Sequence, residues 1–295
     1  MFTINNIYLN FPFSNQLWWK PDYAQSDANK LLEMLPVLKN SIITLKSNEE
    51  NDLILKEYSD YYKNEYSMEV LVAENNITIK DYYNFFHQKN AQISTKNLTK
   101  ILNLQSAVNK LFPDIFIPGL APKNFNENLA IDINRIIGKD LFEFSGKYRI
   151  SEAKPSQENY KYLEANRIQD EMNKLFNFTR EKFIEFKNLE KSEESLIKLG
   201  SQFLAHFLAI HPFQNGNGRV ARLLLSYLLS SVTIIPLSIY PKTKNDQRKV
   251  YLECLREEQR YKSPATESNL ASLILESAYT NLEDICNNLD IYPLD

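Results

Sequence analysis

One short stretch of the sequence collects residue types suited to phosphate chemistry. Residues 211–222 read HPFQNGNGRVAR, in a 295-residue chain with only six glycines and three histidines. A helix that begins here leaves its first amides unpaired, and Gly216 and Gly218 let an anion approach the backbone closely. Arg219 and Arg222 are three residues apart on that helix and add forked donors for phosphate oxygens. Because the amides alone serve one phosphate, the two guanidinium groups predict a diphosphate or triphosphate ligand.

A candidate base and an anchor precede the glycines. His211 has an imidazole with a pKa near neutrality, so it can accept a proton from an attacking hydroxyl. Phe213 is expected to bury its ring and hold the loop. This combination predicts transfer of a phosphate-containing group to a hydroxyl. Each residue alone has a structural alternative, as a loop histidine, a surface or capping arginine, or a glycine turn. The structural alternatives need a separate explanation for each of these residues, whereas a phosphate site explains all of them in one loop.

Two apolar stripes flank this loop and predict the helices that position it. The first stripe has a spacing of three or four residues and consists of Leu196, Leu199, Phe203, Phe207 and Ile210. The second consists of Val220, Leu223, Leu224, Tyr227 and Leu228. We therefore expect helices over 195–210 and 218–231, with the loop held rigidly between them.

The rest of the chain favours a mostly α fold, because few positions are glycine. Further helices are expected over 23–40, 81–90, 95–112, 126–139, 166–188 and 268–287. Segment 144–150 is the best strand candidate, with Tyr148 and Ile150 on one face and Arg149 on the other. The polar run 151–162 is typical of an exposed hairpin or flap. The division that we predict is an N-terminal helical region, 1–115, and a core, 116–295.

Composition excludes several classes of protein. The net charge is -3, with acids and bases interleaved, so no basic block indicates a nucleic-acid partner. The most apolar stretch, 223–237, is shorter than a membrane-spanning helix and predicts no membrane partner. Only two cysteines are present, which suits a reducing compartment, and the first residues lack a secretory signal pattern. We therefore expect a cytoplasmic protein.

The stretch 211–222 resembles the active-site motif of Fic proteins. The family pattern is His, Pro, Phe, any residue, Asp or Glu, Gly, Asn, Gly, Arg, two variable residues and Arg. SGKYR, the polar flap, a long helix and LAHFLAIHPF follow in the order of a Fic core, and NDQRKVYLECL resembles the helix that usually follows it. The resemblance implies a Fic-type helical bundle core with a small β-hairpin flap.

The resemblance also implies an activity. Most Fic proteins transfer AMP from ATP, with Mg²⁺ or Mn²⁺, to a Tyr, Ser or Thr hydroxyl of a target protein and release pyrophosphate. His211 matches the general base and Phe213 the anchor. Gly216, Asn217 and Gly218 match the residues of the family's anion site. Arg219 and Arg222 match the arginines that hold the β- and γ-phosphates. The flap would pair with the target segment. Whether the protein forms a homodimer is left open.

This chain departs from the family pattern at Asn215, where Asp or Glu usually holds the metal. An amide oxygen is neutral, so metal affinity should be lower. Three readings remain open: an active enzyme whose metal is held by phosphates and waters, a weak or altered transferase, and a catalytically silent domain that binds a nucleotide or a partner.

Many Fic proteins also carry an inhibitory helix whose glutamate pairs with the second arginine of the motif. SMEVLVAENNIT places Glu74 before Asn75, although Val70 stands where the family has Ser or Thr. The resemblance therefore implies an inhibitory helix near 66–80, with Glu74 against Arg222. Two other serine-glutamate pairs, at 263 and 267 and at 272 and 276, match the first part of the pattern alone. His206 is interpreted as a structural histidine rather than a zinc ligand.

Overall fold

The computed structural model describes residues 7–74, 77–78, 80, 84, 93–117, 119–153, 161–240, 246–260 and 267–291. Its α-helices are α1 (Ala28–Lys46), α2 (Asp52–Ala73), α3 (Thr95–Leu111), α4 (Glu127–Gly138), α5 (Ile168–Lys187), α6 (Glu193–Ile210), α7 (Asn217–Leu228), α8 (Ser230–Thr233), α9 (Gln247–Arg260) and α10 (Asn269–Asn288). Short 3-10 helices lie at Asp22–Ala24, Glu49–Asn51, Pro122–Asn124 and Ala165–Arg167. The expectation of a mostly α fold is therefore confirmed.

Helix α6 forms the centre of the bundle. It contacts α5, α7, α9 and α10, and every residue from Leu199 to Ile210 is buried. A helix that is apolar on all sides is stable only when other helices surround it. The loop that follows α6 is therefore attached to the most buried element of the chain.

An aromatic cluster lies beside this central helix. Phe125 contacts Phe176, Phe203 and Phe183 with ring centroids 5.2, 5.0 and 6.2 Å apart. Tyr227 of α7 joins the cluster at 6.0 Å from Phe125. These rings connect α5, α6 and α7, so they fix the two helices that carry the HPFQNGNGR loop.

The N-terminal helices pack onto the same core. Helix α1 lies along α10, and α2 packs mainly against α3. The Tyr62 hydroxyl of α2 donates to the Pro236 carbonyl at 2.7 Å and lies 2.8 Å from Asn281 Oδ1 of α10. One continuous cluster of buried apolar side chains includes residues from both sides of position 115. The division into regions 1–115 and 116–295 stays a prediction.

Most expected helices lie within a few residues of the observed ones. Helix α1 begins five residues later than expected and ends six later, and the expected helix 218–231 ends at Leu228, followed by the short α8. The expected helix 81–90 lies outside the described residues, except for residue 84. Helix α2 was predicted only at its C-terminal end, and it stops at Ala73 rather than continuing towards residue 80.

The strand expected over 144–150 is not present. The segment forms turns around Gly146, whose φ is 74°, and its one ladder contact is an isolated antiparallel bridge between Tyr148 and Phe213. The expected alternation places Arg149 on the face opposite to Ile150, and in the structure Arg149 is the buried residue at 5% exposed, whereas Ile150 is 96% exposed. The physical reason is the set of carbonyl groups that surrounds the Arg149 guanidinium. Of the predicted flap, residues 154–160 lie outside the described residues.

Across the described residues, the helices are too short or too polar to cross a bilayer. The apolar stretch 223–237, which the sequence predicts to be core, is divided among α7, α8 and a buried segment that follows them.

Adjacent residues of α5 test the energetic weight of the aromatic cluster. Phe183 is 0% exposed, whereas Ile184 on the same helix is 46% exposed. We expect Phe183→Ala to lower the free energy of unfolding by about 3–5 kcal/mol, because it leaves a cavity among the rings. The matched control Ile184→Ala should change it by less than about 0.5 kcal/mol. Urea unfolding followed by circular dichroism measures both, and equal losses would contradict this assignment of the core.

Candidate functional site

The HPFQNGNGR loop starts and ends with left-handed backbone. His211 ends α6 with φ 52° and ψ 59°, and its N–H still donates to the Phe207 carbonyl at 2.9 Å. Gly216, with φ 82°, precedes the first residue of α7. A glycine adopts this conformation without the penalty that other residues incur. The loop therefore reverses the chain within a few residues and directs the first amides of α7 towards the end of α6.

The side chain of Asn217 binds the loop rather than an outside ligand. It accepts from the Phe213 N–H at 2.9 Å and donates to the Phe213 carbonyl at 2.7 Å. Asn217 is 2% exposed. The Phe213 ring is buried between Tyr148 and Phe207, at centroid distances of 5.6 and 6.3 Å. Asn217 can therefore offer an anion its backbone amide but not its side chain.

Asn134 of α4 holds the outer side of the loop, and sequence reasoning missed it. Its side chain donates to the Asn215 carbonyl at 2.9 Å and accepts from the Gly146 N–H at 2.8 Å. The available signal was a polar residue among the buried apolar positions of α4, since Ala130, Ile133 and Ile137 share that face. A buried amide side chain in such a place needs hydrogen-bond partners.

Arg149 is a second residue that sequence reasoning did not assign to the site. Its Nε donates to the His211 carbonyl at 2.8 Å, and its other nitrogens donate to the carbonyls of Ser151, Leu163 and Ile210. Its own N–H donates to the Pro212 carbonyl at 2.9 Å. The last carbonyls of a helix have no intrahelical partner and carry partial negative charge, so this cation stabilises the end of α6. Burial lowers the pKa of the Arg149 guanidinium.

His211 is covered by an aromatic ring. The Tyr162 ring stacks on the imidazole with centroids 3.8 Å apart and planes 15° apart. Burial lowers the pKa of His211 to about 4, with further lowering by the positive charges of Arg149 and Arg256, while the Leu208 carbonyl opposes the shift. The imidazole is therefore neutral at physiological pH and able to accept a proton.

Glu74 contacts both arginines of α7. Its Oε2 lies 3.3 Å from Arg219 Nε, and its Oε1 accepts a short hydrogen bond from Arg222 Nη2. Arg219 is 5% exposed and Arg222 is 2% exposed. The structure thus brings Glu74 to the place that the sequence predicted, and it adds Arg219 to the ion pair. The competing glutamates lie elsewhere: Glu276 pairs with Lys20, and Glu267 is 3.4 Å from the Asn15 amide.

Aromatic rings complete the environment of Arg222. Its guanidinium carbon lies 5.5 Å from the Tyr240 ring centroid and 5.9 Å from that of Tyr251, distances at which a ring face attracts a cation. Burial is the largest single influence and acts to lower the pKa of Arg222, but Glu74, Tyr240 and Tyr251 together outweigh it, so the pKa is raised and the side chain stays charged. For Arg219, burial outweighs Glu74 and the pKa is lowered.

Gly218 shows why α7 begins with so small a residue. A Cβ at this position would collide with Glu74 Oε1 and would lie 3.3 Å from Arg222 Nη1. The carboxylate therefore rests directly on the backbone at the first turn of α7. An anion that replaced it would contact the same backbone and the same two arginines.

A cavity of about 170 Å³ opens beside these groups. His211, Glu74 and Arg222 line one side of it. The remainder is lined by Tyr162, Leu208, Gly218, Tyr240, Arg248, Tyr251, Leu252, Leu255 and Arg256. The cavity therefore joins a candidate base to a candidate anion site and adds a wall of aromatic and aliphatic side chains.

The candidate metal ligand Asn215 has an exposed side chain, while its carbonyl is held by Asn134. Within the described ranges, no group of three or more His, Cys, Asp or Glu side chains is placed to hold a metal ion. His206 lies away from the loop and is bonded to the Gln202 carbonyl at 2.8 Å, and burial lowers its pKa to about 4.

Known proteins share both the sequence and the fold of this region. A sequence model of the Fic/DOC family matches residues 124–229. A Fido domain-containing protein of Dictyostelium discoideum is 30% identical over 112 residues, which are 38% of this chain and 74% of that protein. The ribonucleoside-diphosphate reductase small chain of Ostreid herpesvirus 1 (isolate France) is 40% identical over 47 residues, 16% of this chain. The chain spans only 8% of the length of that reductase.

A crystal structure of a Fic domain-containing signaling protein from Bacteroides thetaiotaomicron VPI-5482 has a similar fold. Its TM-score to this chain is 0.66 at 17% sequence identity, covering 90% of this chain and 100% of that one. The likeness extends beyond the matched motif to the helices on both sides of it. From the family match and the Dictyostelium relative, this chain belongs to the Fic/DOC family.

Proposed function

We propose that the chain transfers AMP from ATP to a Tyr, Ser or Thr hydroxyl of a target protein, and that Glu74 inhibits this reaction. One observation carries the proposal. A carboxylate at the first turn of α7 pairs with two buried arginines beside a neutral histidine. This is an anion site next to a base, in a family whose members commonly transfer AMP to proteins.

In the proposed reaction, the ATP phosphates replace the Glu74 carboxylate. Arg219 and Arg222 hold the β- and γ-phosphates, and the first amides of α7 bind the remaining phosphate oxygens. The aromatic and aliphatic wall of the cavity takes the nucleoside. Glu74 and the γ-phosphate cannot both occupy the arginines, because two anions would then compete for one set of donors.

The chemical step needs one proton acceptor. The target hydroxyl oxygen attacks the α-phosphorus of ATP, and the bond from that phosphorus to the bridging oxygen of the β-phosphate breaks. Pyrophosphate leaves with the bond electrons, and His211 takes the hydroxyl proton. The two arginines stabilise the charge that develops on the leaving group.

At position 215 a neutral amide stands in place of the carboxylate that a magnesium ion would prefer. A metal that arrives with the nucleotide would depend on the phosphates, water and the neutral oxygen of Asn215. Each step described above uses only residues of this chain.

Asn215 also supports a second candidate function. With a neutral amide in the position of the usual acid, the same site can bind a nucleotide without turnover and act as a nucleotide-sensing or partner-binding module. Both the module and the transferase would bind ATP, so binding alone does not distinguish them. Only the transferase would also turn ATP over.

Replacing Glu74 tests the inhibition. We expect Glu74→Gly to raise incorporation of label from α-labelled ATP into the chain and into lysate proteins by about 10- to 100-fold. A charge-assisted hydrogen bond of about 1.5–3 kcal/mol no longer opposes the phosphates. Glu57→Gly, on an exposed position of α2, controls for loosening of the helix and should leave the rate unchanged. Equal rates for Glu74→Gly and the parent chain would refute the inhibition.

Removing the base separates the two candidate functions. In the Glu74→Gly background, His211→Ala should lower incorporation by about 100-fold or more. ATP affinity, measured by calorimetry, should change little because the arginines and amides of α7 remain. Label that persists in His211→Ala argues against His211 as the base. ATP binding without any label in Glu74→Gly favours the binding module.

Restoring the acid tests the role of Asn215. In the Glu74→Gly background, Asn215→Asp should lower the Mg²⁺ concentration that gives half-maximal incorporation, because a charged oxygen ligand binds a hard dication more tightly. The control is Gln214→Glu, at the neighbouring exposed position. It adds the same negative charge to the loop but not at the position where the family has its metal ligand. An equal shift in both variants would indicate a general charge effect and contradict the assignment.

A further inference from the structure

We propose that Tyr162 is a positioning residue for His211, a role that rests on the proposed function of that histidine as the base. The phenol ring fixes the plane of the imidazole and keeps water from one of its faces. The observation that carries this is the parallel stack, with 3.8 Å between ring centroids and 15° between planes.

The backbone around Tyr162 is fixed to the end of α6. The N–H of the next residue, Leu163, donates to the Ala209 carbonyl at 3.2 Å, and the Leu163 carbonyl accepts from Arg149. Because Arg149 also binds the His211 carbonyl at 2.8 Å, one guanidinium holds the backbone of His211 and the backbone of the residue that follows Tyr162. The backbone contacts therefore fix the geometry of the stack, which is not a contact between two independent surface side chains.

Arg149 alone cannot orient the imidazole. Its hydrogen bonds fix the His211 backbone, whereas the ring turns about its side-chain bonds. A ring stacked on one face restricts that rotation, and the cavity that His211 and Tyr162 both line reaches the imidazole, whose Nδ1 is itself buried. A base needs this arrangement, since the proton is transferred at a nitrogen in the ring plane.

Two cations near His211 act on its pKa in the same direction as the stack. Arg149 and Arg256 of α9 both lower the pKa of the imidazole, and burial contributes more than either. Arg222, Arg248 and Glu74 line the same cavity. Removing the Tyr162 ring admits water to the imidazole while these charges remain, so the pKa of His211 should rise towards its ordinary value.

The test compares Tyr162→Ala with Tyr162→Phe, which keeps the ring and removes only the hydroxyl. NMR titration of the imidazole signals, with His211→Ala to assign them among three histidines, gives the pKa of His211 without any turnover. We expect Tyr162→Ala to raise that pKa by at least about one unit, towards ~6.5. Tyr162→Phe should leave it within a few tenths of a unit.

Kinetics in the Glu74→Gly background provide the second readout. Tyr162→Ala should lower kcat by about tenfold, with little change in the KM for ATP, because the phosphate donors of α7 are untouched. Tyr162→Phe should restore the parent kcat, and the acid limb of the rate profile should move to higher pH in Tyr162→Ala alone.

Two results would overturn the proposal: a His211 pKa and kcat unchanged in Tyr162→Ala, or a loss in Tyr162→Phe equal to that in Tyr162→Ala. If Tyr162→Ala fails to fold, Tyr162→Leu repeats the comparison with a bulky aliphatic side chain. A parent chain without transferase activity but with the expected NMR shifts would refute the proposed function and leave the stack in place.

Discussion

The site depends on the burial of two positive charges on one helix turn. Arg219 and Arg222 are almost completely removed from water, and they lie where α7 already presents its positive end. A buried charge without a partner costs several kcal/mol, and two neighbouring cations repel each other as well. The fold therefore requires an anion against these arginines. Glu74 meets the requirement in this structure, and in the proposed function the phosphate oxygens of a nucleotide would meet it.

This requirement explains how the rest of the fold is arranged. Helix α2 brings Glu74 to α7, and Tyr62 on the same helix is bonded to the Pro236 carbonyl and to α10. The Tyr240 and Tyr251 rings contact the other side of Arg222 and restrict where its guanidinium can lie. Glu74 lies immediately after the last residue of α2, so the proposed exchange of its carboxylate for a phosphate would require displacement at a helix end.

The sequence was sufficient to predict the helices that carry the loop, because their apolar stripes have helical spacing and both helices are buried. It also pointed to Glu74, through a pattern that follows the family's inhibitory helix. The residues that it did not reveal act through tertiary contacts. Arg149 binds carbonyls from three separate segments, and Tyr162 meets His211 across 49 positions of chain. Neither relation has a local period, and the pattern at 144–150 did not reveal that carbonyl partners bury the charged Arg149 side chain.

The loop motif combines two kinds of residue that a sequence pattern does not distinguish. Asn217 uses its side chain to bind the backbone of Phe213, so its loss would disturb the loop before it affected any ligand. Within the described part of the chain, Asn215 is held by its carbonyl, through Asn134, while its side chain is exposed. The geometry of the loop is therefore independent of the side chain at position 215. For this reason, an amide at position 215 leaves in place the hydrogen bonds that hold the loop between His211 and the two arginines.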